Sequence, residues 1–181
     1  VLILGTGPSS ERYKEIIEEF IIQNEAVTLA LNTQDQINDS LIDYRVASHP
    51  LKIISDHEKY LSFEQPLILP KSLIDEDILS KIKTVNLLDY GLNIKADTFL
   101  FNETYCTLPA PFVMLYALAI ANSGKAKEIF LAGFDGYQSG DPRNEETMSL
   151  FSVYSSINKN LPLTSITPTK YRLKSKSIYG L

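Results

Sequence analysis

The residues best suited to binding chemistry form a short run near the start of the chain. They are Gly5, Thr6, Gly7, Pro8, Ser9 and Ser10. Glycines let a backbone turn tightly and approach a ligand closely, and the helix predicted to follow would point free N–H groups at an anion. The serine hydroxyls add donors, although serines also cap helices. The run predicts a phosphate or nucleotide site, with a capped strand-to-helix turn as the alternative.

This run differs from the two common phosphate-binding motifs. Ser10 stands where a dinucleotide fingerprint has its third glycine, and the next predicted strand ends in Asn32. An acidic residue would be expected there to bind an adenosine ribose, so NAD is disfavoured. No Gly-Lys-Ser/Thr follows, which excludes a Walker A loop. We expect the Asn32 amide either to contact a base or ribose edge or to serve as a turn residue.

Other polar residues with catalytic or binding chemistry follow predicted strands or, like Glu145, lie in the first turn of a predicted helix. Asp135 suits a sugar hydroxyl, a metal ion or a turn. His49 suits a general base or a structural role, and Glu145 suits a base or a partner of the helix dipole. Tyr137 and Thr167 lie in the same kind of segment. We expect Tyr137 and Thr167 to join the binding site, with His49, Asp135 or Glu145 as the base.

Alternating strands and helices must position these residues. Strands are predicted at 1–4, 27–31, 44–47, 66–69, 85–88, 98–101, 128–132 and 161–166, with helices around 13–21, 72–83, 111–123 and 142–157. This alternation predicts an α/β fold, a Rossmann-like three-layer sandwich with a mostly parallel sheet. Ligands bind beyond the carboxyl ends of such strands, so the segments that follow them are expected to share one rim.

Composition limits the class of protein. The 181 residues predict a single domain, 1–181. A net charge of -5 disfavours a nucleic acid as partner. The longest apolar run, residues 112–121, is too short to span a bilayer. One cysteine and two histidines give no basis for a disulfide framework or a metal site.

The start of the chain is informative as well. Residue 1 is a valine that already belongs to a predicted buried strand, and no basic stretch or leader-like segment precedes it. We therefore expect a piece of a longer polypeptide in the cytoplasm. A basic tail and an apolar helix are compatible with a homo-oligomer.

Several short blocks resemble the bacterial sialyltransferases of glycosyltransferase family 42. The blocks are residues 1–10, Asn32, 119–121, 127–137 and 166–169. The resemblance implies a Rossmann-like fold that holds a CMP-sugar donor and transfers the sugar with inversion. It also implies nucleotide binding by Gly5, Thr6, Gly7, Pro8, Ser9 and Asn32, with Asp135 and Tyr137 beside the sugar. The family's Thr-Ser-Gly before the buried helix is Ala-Pro-Phe at 110–112, and no histidine follows His57, whereas the family's catalytic histidine lies late in the chain.

A second resemblance concerns residues 133–137 with Asp141, Arg143 and Glu146, followed by 165–169. These blocks are similar to a domain that follows a barrel of the hydroxymethylglutaryl-CoA-lyase or 4-hydroxy-2-oxovalerate-aldolase type in bacterial proteins of surface-polysaccharide pathways.

Three hypotheses for the function of the chain result. The chain is a nucleotide-binding or nucleotide-sugar-binding domain with CMP or a CMP-sugar as ligand, an active inverting transferase, or a non-catalytic domain covalently linked to an aldolase-like barrel.

Overall fold

The computed structural model describes residues 1–157 and 159–181. Within these ranges the strands are β1 (Leu2–Leu4), β2 (Thr28–Leu31), β3 (Tyr44–Val46), β4 (Leu67–Leu69), β5 (Leu87–Asp89), β6 (Gly91–Ile94), β7 (Leu100–Phe101), β8 (Tyr105–Leu108), β9 (Ile129–Ala132), β10 (Leu163–Ser165) and β11 (Lys174–Ser175). The helices are α1 (Pro8–Arg12), α2 (Lys14–Asn24), α3 (Pro50–Ser55), α4 (His57–Ser62), α5 (Glu76–Lys81), α6 (Val113–Ser123) and α7 (Pro142–Ser156). Single 3-10 turns cover Asp39–Leu41, Lys71–Leu73 and Ile178–Gly180.

The main sheet of the described chain has the strand order β11-β10-β9-β1-β2-β3-β4-β5, and every neighbouring pair is parallel. The order runs one way from β1 through β5 and the other way from β9 through β11. The direction therefore reverses between β1 and β9, where Ile3 is in register with Leu131. This sheet confirms the predicted Rossmann-like α/β fold, and the reversal marks the place where such folds bind ligands.

Strand β1 lies at the centre of the molecule and is buried on both faces. Ile3 packs with α6 in one apolar cluster, while Leu2 and Leu4 pack with Ile17 and Phe20 of α2 in another. Side chains alternate between the faces of a strand, so three consecutive apolar residues serve two cores. A continuous apolar run is what a strand covered on both sides requires.

The predicted helix boundaries near the site are close to the observed ones. Helix α6 begins at Val113 rather than at residue 111, because Phe112 has extended backbone angles (ψ 130°). Helix α7 begins as predicted, with Pro142 in its first turn and the Asp141 side chain accepting a hydrogen bond from Arg143 N at 2.9 Å. These two helices bring their first turns to the carboxyl end of the sheet.

The second sheet, β6-β8-β7, was not predicted, except for a strand at 98–101 that the structure confines to Leu100–Phe101. β7 pairs antiparallel with β8, and the buried residues Cys106 and Leu108 pack in the cluster that surrounds α6. The predicted helix at 72–83 is also shorter, because a 3-10 turn precedes α5. Within residues 1–157 and 159–181, none of the helices is long and apolar enough to cross a membrane.

Candidate functional site

A cavity of about 540 Å³ lies beyond the carboxyl ends of β1, β2 and β9. It occupies the position where the strand order reverses. Seven predicted site residues line it together: Gly5, Thr6, Gly7, Pro8, Asn32, Asp135 and Tyr137. Parallel strands place the turns that follow them at one edge of the sheet, which is why residues about 130 positions apart in sequence meet here.

Five predicted site residues do not line this cavity. Ser9, Ser10 and Thr167 are buried behind the glycine turn, where Ser9 Oγ lies 3.1 Å from Thr167 Oγ1 and Ser10 Oγ donates to Gly5 O at 3.1 Å. His49 caps α3, with its Nδ1 accepting from Leu51 N at 3.2 Å. Glu145 is exposed on α7. Ser9, Ser10, Thr167 and His49 hold local structure in place through these hydrogen bonds, and the catalytic roles of His49 and Glu145 stay predictions.

The expectation of free N–H groups at the start of α1 is wrong. Gly7 N donates to Gly133 O at 2.9 Å, and Ser10 N donates to Gly7 O at 3.0 Å. Ser9 N lies 3.2 Å from each carboxylate oxygen of Asp135, and Ser9 Oγ donates to the same carboxylate at 2.7 Å. The side chain of Asp135 therefore occupies the place at the helix terminus that an anionic ligand would take.

The glycines of this region allow two turns to pack against each other. A Cβ on Gly7 would lie 2.2 Å from Asp135 Oδ2, and a Cβ on Gly5 would lie 2.5 Å from Gly133 O. Gly133 has a φ of +77°, and a Cβ there would lie 2.0 Å from Ser10 Oγ. These glycines are explained by close packing. The group that packs against the glycine turn is the turn after β9 and not a ligand.

Asn32 is a turn residue and also lines the cavity, so its position fits both roles expected from the sequence. Its φ of +51° lies in the left-handed region, which asparagine tolerates better than most residues. Its backbone N–H donates to Val46 O at 2.8 Å, which fixes the turn after β2. The residue also lines the cavity. Contact between its amide and a base or ribose stays a prediction.

One wall of the cavity comes from the first residues of α6, which the sequence analysis did not assign to the site. Phe112, Val113 and Met114 line the cavity. Phe112 gives this helix no side-chain cap, and the first backbone bond within the helix runs from Tyr116 N to Phe112 O. The opening N–H groups of any helix lack partners inside it. The start of α6 therefore brings apolar surface and uncapped amides to the cavity.

The mouth of the cavity contains charged and aromatic residues from α7 and from the segment between β10 and β11. Arg143, Glu146 and Thr147 line it together with Tyr171. Glu146 and Thr147 lie one helical turn after Arg143, so the three share one face of α7, whereas Glu145 points elsewhere. The spacing groups Glu146 with Arg143 and Thr147, but the choice of this face over that of Glu145 required the position of α7 in the fold. Burial raises the pKa of Tyr171 above its usual value, so the phenol stays neutral and can donate a hydrogen bond.

Arg143 is held in a defined position at this mouth. Its guanidinium lies 4.0 Å from the centre of the Tyr137 ring, and its Nε and Nη2 atoms donate to Asp141 at 3.0 and 2.6 Å. These hydrogen bonds lower the pKa of Asp141 and raise the pKa of Arg143, so both groups are charged at neutral pH. The described residues bring no cluster of three or more His, Cys, Asp or Glu side chains together as metal ligands.

Comparisons with known proteins add one structural relative. No family model and no curated protein sequence match the chain. The fold is similar to the structure of MAf glycosyltransferase from Magnetospirillum magneticum AMB-1, with a TM-score of 0.70 and 14% sequence identity over 99% of this chain. The chain spans about a third (34%) of that protein. At this identity the similarity establishes a shared Rossmann-like fold, and both sequence resemblances to narrower families stay predictions.

Proposed function

We propose that the cavity binds a nucleotide or nucleotide-sugar and that the chain is the donor-binding part of a glycosyltransferase-related protein. The observation that carries the proposal is the convergence of the turns after β1, β2 and β9 on one cavity where the strand order reverses. Open parallel sheets bind nucleotides at such a place. The fold shared with a glycosyltransferase supports the same class of ligand.

The size and lining of the cavity suit this ligand. A volume of about 540 Å³ is within the usual range of small-molecule sites. Phe112, Phe134 and Tyr171 offer apolar and aromatic surface for a base, while Thr6 and Asn32 offer polar groups for a ribose. With α1 closed by Asp135, the uncapped start of α6 is the better partner for a phosphate.

Catalysis of sugar transfer would need a base near the cavity. The carboxylates among the described lining residues are Asp135 and Glu146. Asp135 already accepts hydrogen bonds from Ser9, whereas none of the side-chain hydrogen bonds in the described chain involves Glu146. Glu146 is therefore a better candidate than His49 or Glu145 for a proton-accepting role. CMP-sugar transfer, the surface-polysaccharide pathway, the linked barrel and the cytoplasmic location stay predictions of the sequence.

Titration with CMP, CDP and UMP tests the proposal, followed through backbone amide signals in NMR spectra. We expect saturable shifts at Thr6, Asn32, Val113 and Met114, because these residues line the cavity. The amide of Gly180, at the other end of the chain, is the internal control. The proposal fails if millimolar concentrations of all three nucleotides leave the cavity signals unchanged.

A further inference from the structure

The cation at the cavity mouth has unused hydrogen-bonding capacity. Among the described residues, Arg143 is the one Lys or Arg side chain that lines the cavity. The Nε and Nη2 atoms donate to Asp141, while Nη1 meets no acceptor in residues 1–157 and 159–181. A guanidinium has five N–H donors arranged around a plane, so one edge can pair with Asp141 while another faces a second oxyanion.

Contacts with Asp141 and Tyr137 restrain this guanidinium before any ligand arrives, although 61% of the side chain is exposed. Its Cζ atom lies over the ring of Tyr137, 4.0 Å from the ring centre. The backbone of Tyr137 is held in turn, because its N–H donates to Asn144 Oδ1 at 2.8 Å and its carbonyl accepts from Lys170 Nζ at 2.8 Å. A group held in its binding position loses less conformational entropy when it binds, which favours recognition of an anion.

The charge of the lining also requires such a group. Asp135 and Glu146 both line the cavity, and the chain as a whole has a net charge of -5. An acidic ligand therefore meets a negative field unless a cation faces it directly. Arg143 supplies that cation at the mouth. Arg143 therefore faces one acidic group of the ligand from α7, while the uncapped start of α6 can receive another.

We infer that Arg143 forms an anion subsite at the mouth of the cavity, and that it binds a phosphate or carboxylate group of the ligand. This inference rests on the proposed function, since it assigns one part of the same nucleotide or nucleotide-sugar. Arg143 would act as a specificity residue that separates acidic ligands from neutral ones of the same shape. The paired edge of its guanidinium keeps its contact with Asp141 while the other edge binds the anion.

Calorimetric titration of the intact chain tests the subsite, with four probes. CMP and cytidine differ by one phosphate, while N-acetylneuraminate and its methyl ester differ by one charged carboxylate. We expect the wild type to bind the acidic member of at least one pair about tenfold more tightly, and Arg143→Gln to remove that preference. Arg143→Lys keeps the charge without the planar fork and should restore the preference in part. The pair that shows the effect identifies the source of the anion.

The control and the outcomes are chosen to separate the two proposals. Arg172→Gln removes an exposed guanidinium outside the cavity lining and should leave all four affinities unchanged. Arg143→Gln retains the cap of α7, because that cap uses the backbone N–H of residue 143. Equal loss of cytidine and CMP affinity, or no acidic preference in the wild type, overturns the anion subsite. Absence of nucleotide binding with retained preference for N-acetylneuraminate overturns the nucleotide assignment alone.

Discussion

Asp135 and Ser9 are 126 residues apart in sequence and form the closest polar contact between the two turns that enclose the cavity. The carboxylate of Asp135 lies 3.2 Å from Ser9 N through each oxygen and accepts from Ser9 Oγ at 2.7 Å. It acts as a helix cap supplied from a distant part of the chain. The turn that resembles a phosphate loop is therefore satisfied by the protein itself.

Replacement of Asp135 by alanine is expected to lower the free energy of unfolding by about 1–2 kcal/mol, the usual cost of losing a helix cap. Urea denaturation monitored by circular dichroism measures the change. Asp75→Ala is the matched control, because Asp75 also precedes a helix but makes no side-chain cap bond. Equal losses in the two variants would show that the contact between Asp135 and Ser9 contributes no stability of its own.

Gly133 provides a second test of how tightly the two turns pack. Gly133 and Gly140 both have positive φ, +77° and +84°, but a Cβ on Gly133 would lie 2.0 Å from Ser10 Oγ while a Cβ on Gly140 meets nothing within 4 Å. Gly140→Ala should cost about 1 kcal/mol for the backbone conformation alone. Gly133→Ala should cost about 1–3 kcal/mol more because of the clash. Thermal and urea denaturation of both variants give the difference, and similar losses would contradict the packing argument.

The rim was predictable because it depends on a general property of parallel sheets. Residues 5–8, Asn32 and 133–137 each follow a strand, and the carboxyl ends of parallel strands lie on one side. The contact between Asp135 and Ser9 was not predictable, because nothing local in the sequence indicates a cap from 126 residues away. That contact changed the interpretation of the glycine turn, together with the hydrogen bonds that Gly7 N and Ser10 N donate to backbone carbonyls.

The choice between Glu145 and Glu146 depended on helix register. A one-residue step turns a side chain by about 100° around a helix axis, so only one of the two neighbours can face the cavity. Arg143 and Thr147 share the face of Glu146, but this face could be selected only after the direction of α7 was known. Strands β6 and β8 of the small sheet were missed for a different reason, since they are four residues long and do not alternate clearly between apolar and polar residues.

Asn32 allows the two roles of one residue to be separated. Asn32→Gly can keep the positive φ of 51° and removes the side-chain amide from a residue that lines the cavity. We expect the free energy of unfolding to stay within about 0.5 kcal/mol of the wild type. The affinity for CMP should fall by about two- to tenfold, as expected for one lost hydrogen bond. Urea denaturation and calorimetric titration are the measurements, and unchanged affinity would leave Asn32 with its turn role alone.

Glu146 should oppose the binding of an acidic ligand. Removing its negative charge with Glu146→Gln is expected to tighten CMP binding by about two- to fivefold at low salt, because about 1 kcal/mol is typical of a charge pair close to the solvent. The gain should shrink in 1 M salt, where screening is strong. Glu145→Gln changes the neighbouring residue, which is exposed and outside the lining, and should have little effect. The same response from both variants would contradict the assigned helix face.

Alkaline pH should weaken the fold through buried groups behind the site. Burial raises the pKa of Cys106, Tyr90 and Tyr154 to about 12. The pKa of an exposed thiol is about 8.5 and that of an exposed phenol is about 10. These groups therefore lose their protons at lower pH in the unfolded chain than in the folded one. The stability they contribute is complete below about pH 8.5 and is lost as the pH rises toward about 12.

Urea denaturation at pH 7, 9, 10 and 11 measures this loss, and we expect the free energy of unfolding to decrease with each step. Cys106 is fully buried, so a thiol reagent at pH 8 should label it only after unfolding. Cys106→Ala removes the group that titrates first in the unfolded chain. In that variant the decrease should begin closer to pH 10, where only the tyrosines contribute. Rapid labelling of the native protein, or a stability that is flat up to pH 11, would show that solvent reaches this part of the core.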